Sequence, residues 1–97
     1  MPNTPNPARG EVVVPLAGVP RRLCLTLGAL ARIEAVLGLD DWSALPERFG
    51  RLSATELTAV LGALLEGGGE DPAVLETAPV SIPQAVAAVA AALAAAA

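Results

Sequence analysis

The sequence predicts an α+β fold in which an N-terminal β-hairpin is followed by a small bundle of three main α-helices plus short helical turns. Three observations predict it: a β-branched run before a turn signal, two segments with apolar residues at helical spacing, and an alanine-rich end. A chain of 97 residues suits one small domain. We expect residues 11–97 to form that domain, after a disordered tail at residues 1–10 that holds three prolines.

The hairpin is predicted over residues 11–26. The run EVVVPL is β-branched, and after Ala17-Gly18 the chain resumes with VPRRLCLT, which predicts strands at residues 11–16 and 20–26. Gly18 is expected to supply the positive φ of a tight turn. Pro15 has no amide hydrogen, so it should sit at an edge or face away from the ladder. Because two strands alone are marginal in water, the hairpin must pack on helices or join another chain's sheet.

The first main helix is predicted at residues 27–37, with Thr26 as its N-cap and Gly38 as its terminator. Leu30, Ile33 and Leu37 lie on one face, which Val36 should widen.

Short helical turns are predicted at residues 40–50, where Asp40 or Asp41 is expected to act as a cap rather than as a catalytic acid. Pro46 blocks a continuous helix and should begin a new turn. The large apolar residues of this connection should form one cluster against the main helices: Leu39, Trp42, Leu45 and Phe49.

The second main helix is predicted at residues 53–66, because Ser53 and Glu56 form a capping box. Its buried stripe should comprise Leu57, Val60, Leu61, Leu64 and Leu65. The glycines at 67–69 should end it, since the residues that complete a phosphate-binding loop do not follow them. A short helical turn is expected at residues 72–77, with Asp71 as its cap.

The third main helix is predicted at residues 82–97, where alanine fills ten of the last fourteen positions and no charge occurs. Packing within the domain, on a partner helix, or on another copy of the chain all fit this composition, whereas a membrane span fits poorly because alanine contributes little to insertion. The candidate partner-binding residues are Val12 and Val14 on the hairpin and, on this helix, Ile82, Val86, Val89 and Leu93.

Composition argues against catalysis. The chain has no histidine, lysine or tyrosine, which removes histidine-based triads, Walker-type phosphate loops and Schiff-base chemistry, and we expect no cofactor and no metal. Six scattered arginines against ten acids give a net charge of −4, which disfavours nucleic-acid binding. The single Cys24 lies between leucines and is expected to be buried. No signal peptide is recognisable, so the bacterial cytoplasm is the expected location.

The central block of the chain resembles a family of small proteins encoded in the gene transfer agent clusters of alphaproteobacteria, which are relatives of tailed phages. The resemblance covers roughly residues 9–71 and is carried by the segments Arg9-Gly10-Glu11, Leu25-Thr26-Leu27-Gly28-Ala29-Leu30, Leu37-Gly38, Glu47-Arg48-Phe49 and Leu52-Ser53. Pro46 and the alanine-rich end depart from the family pattern.

The resemblance implies one of two roles in tail formation, because members are labelled either as tail tube proteins or as tail assembly chaperones of the tape-measure protein. The sequence favours the chaperone, since a tube subunit needs many strands and only two are predicted. The expected partners are the tape-measure or another tail protein, with homo-oligomers possible, and no nucleic acid or membrane. The alternative is a structural tail tube or tail-terminator component.

Overall fold

The computed structural model describes residues 9–96. In this part of the chain an antiparallel hairpin is followed by helices and helical turns. The elements are β1 (Glu11–Leu16), β2 (Val19–Cys24), α1 (Leu27–Leu37), α2 (Leu45–Arg48), α3 (Ala54–Gly67), α4 (Val74–Thr77) and α5 (Ile82–Ala96), with single 3₁₀ turns at Trp42–Ala44 and Phe49–Arg51. The predicted α+β class is confirmed, with α1, α3 and α5 as its three main helices.

The hairpin closes with a two-residue turn in which both Ala17 (φ 53°) and Gly18 (φ 82°) adopt left-handed backbone conformations. Two positive φ angles characterise the turn that matches the twist of a hairpin. The expectation for Gly18 is confirmed, and Ala17 adopts the same region although it carries a Cβ. β2 ends at Cys24 rather than at residue 26, because Thr26 is already the N-cap of α1.

The outer edge of β2 is closed by the end of α3. The Arg22 amide points away from β1 and donates to Glu70 Oε2 at 3.0 Å. Cβ atoms at Gly67 and Gly68 would clash with the carbonyl oxygens of Cys24 and Arg22. These two glycines therefore permit the close approach of α3 to β2, in addition to ending the helix as predicted.

The positions of Pro15 and Pro20 follow from the direction in which the backbone amides of the hairpin point. Pro15 pairs with Pro20, two positions along the ladder from the Val13–Arg22 pair. The backbone amides of successive residues point alternately to the two sides of a strand, so the amides of residues two apart point to the same side. The nitrogen of Pro20 therefore points outward, like the Arg22 amide. Pro15, opposite it, faces away from the ladder as expected.

The main helices begin and end at the predicted signals. Thr26 Oγ1 accepts from the Ala29 amide at 3.0 Å, and Gly38 ends α1 in the left-handed conformation. Ser53 and Glu56 form both hydrogen bonds of the capping box, at 3.1 and 2.9 Å. These caps satisfy amide groups that no helical carbonyl can reach.

The core lies where α1, α3 and α5 meet the face of the hairpin that carries Leu16. Its largest fully buried side chains are Leu16, Leu23, Ile33, Val60, Leu61, Leu64 and Leu65. Cys24 is buried as expected, and its Sγ donates to the Arg9 carbonyl oxygen at 3.2 Å. Burial, and then the nearby Glu11 carboxylate, raise the pKa of this thiol above its ordinary value.

Three expectations need correction or restriction. Trp42 does not pack against the core with Leu39, Leu45 and Phe49, because the residue is 65% exposed. Val36 does not widen the buried face of α1 and is 42% exposed. Residues 1–8 of the predicted tail lie outside the described residues, whereas Gly10, also placed in that tail, is buried against the end of α5.

Candidate functional site

Helix α5 presents two different apolar faces. Its buried face is formed largely by alanine, namely Ala85, Ala88 and Ala92 together with Val89. The branched residues form a stripe rotated from that face by roughly 80°, at 100° per residue. Ile82 and Val86 form the N-terminal half of this stripe and are 69% and 53% exposed, respectively. Alanine and Val89 therefore pack inward, whereas Ile82 and Val86 stay accessible.

The exposed stripe forms one wall of an apolar groove, which we call the α5 groove. The groove has a volume of about 310 Å³, and its other wall comes from the segment before α3 and the first turns of α3. Its lining comprises Phe49, Gly50, Leu52, Leu57, Ile82, Val86, Val89, Ala90 and Leu93. A second cavity of about 250 Å³ adjoins it and shares Leu52, Leu57 and Ile82. The two together form one apolar depression beside α5.

The wall opposite α5 is positioned by the start of α3. Leu52 is extended (φ −94°, ψ 134°) between the Phe49–Arg51 turn and the capping box of Ser53. Arg48 Nη2 contacts Glu56 Oε2 at 2.5 Å, and Arg48 Nη1 donates to the Arg51 carbonyl oxygen. The first contact ties this wall to α3, and the second closes the segment that precedes α3.

Charged side chains beside the groove pair with one another. The Ser53 amide, and then Arg48, lower the pKa of the Glu56 carboxyl. Glu47 and Arg51 also lie within 3.8 Å of one another. The residues that line the groove carry no charge. Its chemistry is that of an apolar surface, suited to the apolar face of a helix.

The structure gathers four of the six predicted partner-binding residues in this groove: Ile82, Val86, Val89 and Leu93. Val89 is buried and contributes mainly to the core, whereas Ile82 and Val86 are accessible. Val12 and Val14 lie elsewhere, on the hairpin face that packs against the core, and are partly buried. Whether any of the six contacts a partner stays a prediction.

Sequence reasoning missed the opposite wall. Phe49 was assigned to a cluster with Trp42, and Leu57 to the buried stripe of α3, yet both line the groove. The spacing of apolar residues within one helix does not predict a groove, because the two walls of the groove come from segments that are distant in the sequence.

A scan of family models gives one match over residues 9–97, described as phage tail tube protein, GTA-gp10. The chain belongs to this family. Comparison with curated proteins gave no match, and comparison with solved structures gave none either. Membership in the GTA-gp10 family identifies a tail protein of a phage or gene transfer agent, as the resemblance of the central block implied, and associates the chain with other tail proteins.

Two further observations concern the described part of this GTA-gp10 family member. Between residues 9 and 96 no three metal-ligating side chains come together. In the same range, no helix has the length and apolar character needed to cross a bilayer.

Proposed function

We propose that this protein is a non-enzymatic tail assembly factor, a chaperone that binds the tape-measure protein in the bacterial cytoplasm while the tail tube polymerises. Membership in a phage tail protein family supports a role in tail formation. The α5 groove supports the mode of binding, because it offers accessible branched side chains without charge.

The observation that carries the proposal is the orientation of α5. A helix that served only to cover its own domain would bury its largest side chains, whereas here Ile82 and Val86 remain exposed and alanine is buried. An apolar helix laid along the groove would cover these side chains and contact Phe49 and Leu57. Long tape-measure helices would offer such a surface repeatedly, so several copies would bind one chain.

A second candidate function is a structural tail tube or tail-terminator component, which the family description favours. A tube subunit joins its neighbours through extended sheets. The described residues contain a two-stranded sheet whose β2 edge is covered by α3. Pro15 also removes one hydrogen-bond donor from β1. These features make sheet-to-sheet joining less suitable than helix binding, and the chaperone is therefore our preferred function.

Co-expression with a tape-measure protein from a gene transfer agent cluster tests the proposal. The wild-type chain should keep the tape-measure soluble and remain bound to it in a pull-down at low and moderate salt. Replacing both exposed groove residues, Ile82→Asp with Val86→Asp, should abolish both effects. Val36→Asp is the matched control, because Val36 is an exposed apolar residue outside the groove. Absence of wild-type binding at both salt concentrations contradicts the proposal.

Mass spectrometry of purified particles separates the two candidate functions. An assembly chaperone should be absent from finished tails, or present far below the amount of the tube subunits. A stoichiometric amount in washed particles supports the structural component and overturns the chaperone.

A further inference from the structure

A second apolar surface surrounds Trp42, which we call the Trp42 patch. It is lined by Leu25, Leu27, Leu30, Trp42, Leu45 and Ala96, with Thr26 beside them, and encloses about 410 Å³. Leu27 is 82% exposed, more than any other large apolar side chain among the described residues. The lining shares no residue with the α5 groove, so the patch is a separate surface.

Three carboxylates lie next to residues of this patch along the chain or on the same helix face. Asp40 and Asp41 directly precede Trp42, and Glu34 lies one turn beyond Leu30 on the same side of α1. Among residues 9–96 none of these three acids forms an ion pair. Each of the six arginines, by contrast, pairs with one of the other carboxylates. Beside the patch, these three carboxylates are therefore not neutralised by an arginine of the described residues.

We propose that the Trp42 patch docks an amphipathic helix whose apolar face is bordered by lysine or arginine, contributed by another protein. The exposed leucines would receive the apolar face of this helix, and the indole would offer a flat surface and a favourable site for a cation. The neighbouring carboxylates would attract the basic border. A second copy of the chain fits less well, because a two-fold contact here would bring the same acids together.

The proposal is independent of the tape-measure hypothesis, since it concerns a different surface and a different chemistry. Trp42 is the only tryptophan, so its fluorescence reports directly on the patch. The probe is a synthetic amphipathic helical peptide of leucine, alanine and lysine, and its matched control carries glutamate in place of every lysine. The lysine peptide should shift Trp42 emission to shorter wavelength in a saturable way that weakens with added salt. The glutamate peptide should leave the emission unchanged.

Matched variants of the full chain locate the interaction. Glu34→Gln with Asp40→Asn should weaken binding of the lysine peptide by about fivefold or more, whereas Glu47→Gln with Glu76→Gln changes the net charge equally and should leave it intact. Leu27→Ser should also weaken binding, whereas Val36→Ser on the same helix should not. Circular dichroism verifies that each variant keeps its helix content.

Three results would overturn the proposal. The first is equal binding of the lysine and glutamate peptides, and the second is an equal loss of affinity in the control variants. The third is light scattering that shows the free protein as a dimer that Leu27→Ser dissociates, because a second copy would then occupy the patch.

Discussion

Single glycines determine how closely α3 approaches the hairpin. Gly68 lies against the Arg22 backbone and Gly67 against the Cys24 backbone, at separations that leave no room for a methyl group. A run of three glycines after a helix is ordinarily read as a terminator alone. The packing role is visible only once the chain is folded, because the atoms that exclude a side chain come from a strand more than forty residues earlier.

Replacing Gly68 by alanine should therefore destabilise the protein by about 1–3 kcal/mol, since the new Cβ meets rigid backbone rather than a flexible side chain. Gly28→Ala is the matched control, because a Cβ at Gly28 has only the Thr26 hydroxyl nearby, at 4.0 Å. Urea unfolding followed by circular dichroism gives both free energies. Equal stability of Gly68→Ala and the wild type would contradict the packing role.

Glu56 links stability to pH at the start of α3. Its pKa is lowered by the Ser53 amide and then by Arg48, so its folded-state pKa lies below the unfolded value. The stabilisation is therefore complete above the unfolded pKa and is lost as pH falls through the folded one. Glu56→Gln should reduce the loss of stability in this acidic range. Carboxyl NMR titration should give a pKa below the ordinary glutamate value of about 4.3; a value at or above it would contradict the assignment.

At the scale of elements, local sequence signals predicted where a helix begins and ends better than which of its faces is buried. Thr26, Gly38 and the Ser53–Glu56 box place α1 and α3 correctly because caps act through neighbouring atoms. The sequence does not predict which face of α5 is buried, because alanine is compatible with either burial or exposure. Trp42 was misassigned for a related reason: its apolar character favours burial, whereas its position in a short 3₁₀ turn leaves it outside the core.

The inward face of α5 depends on small side chains. Ala88 is fully buried, whereas its neighbour Ala87 is exposed. Ala88→Leu should destabilise the protein by about 1–3 kcal/mol through overpacking, while Ala87→Leu should change stability little. Thermal unfolding of the pair checks this orientation. A larger effect at Ala87 than at Ala88 would contradict the burial of the alanine face.

At the scale of the whole molecule, stability depends on one small core of aliphatic side chains. The stripe of α3 predicted from periodicity supplies four of its members, Val60, Leu61, Leu64 and Leu65. The α5 groove and the Trp42 patch cannot be predicted from the spacing of apolar residues, because each surface combines residues from segments far apart in the chain.

Leu61→Ala should cost about 2–5 kcal/mol, because it leaves a cavity in the core. For a domain whose total stability is about 5–15 kcal/mol, a loss at the upper end would unfold much of the population. Denaturant titration gives the value. A cost within the range of surface substitutions, roughly 0.5 kcal/mol, would contradict the burial of Leu61.

The proposed function depends most on binding of an apolar helix of the tape-measure protein in the α5 groove. Amide hydrogen exchange of the full chain, measured with and without the co-expressed tape-measure protein, tests it directly. Exchange should slow along residues 82–93 and 49–57, the two walls of the groove. Unchanged exchange at both walls in a complex that demonstrably forms would contradict the claim.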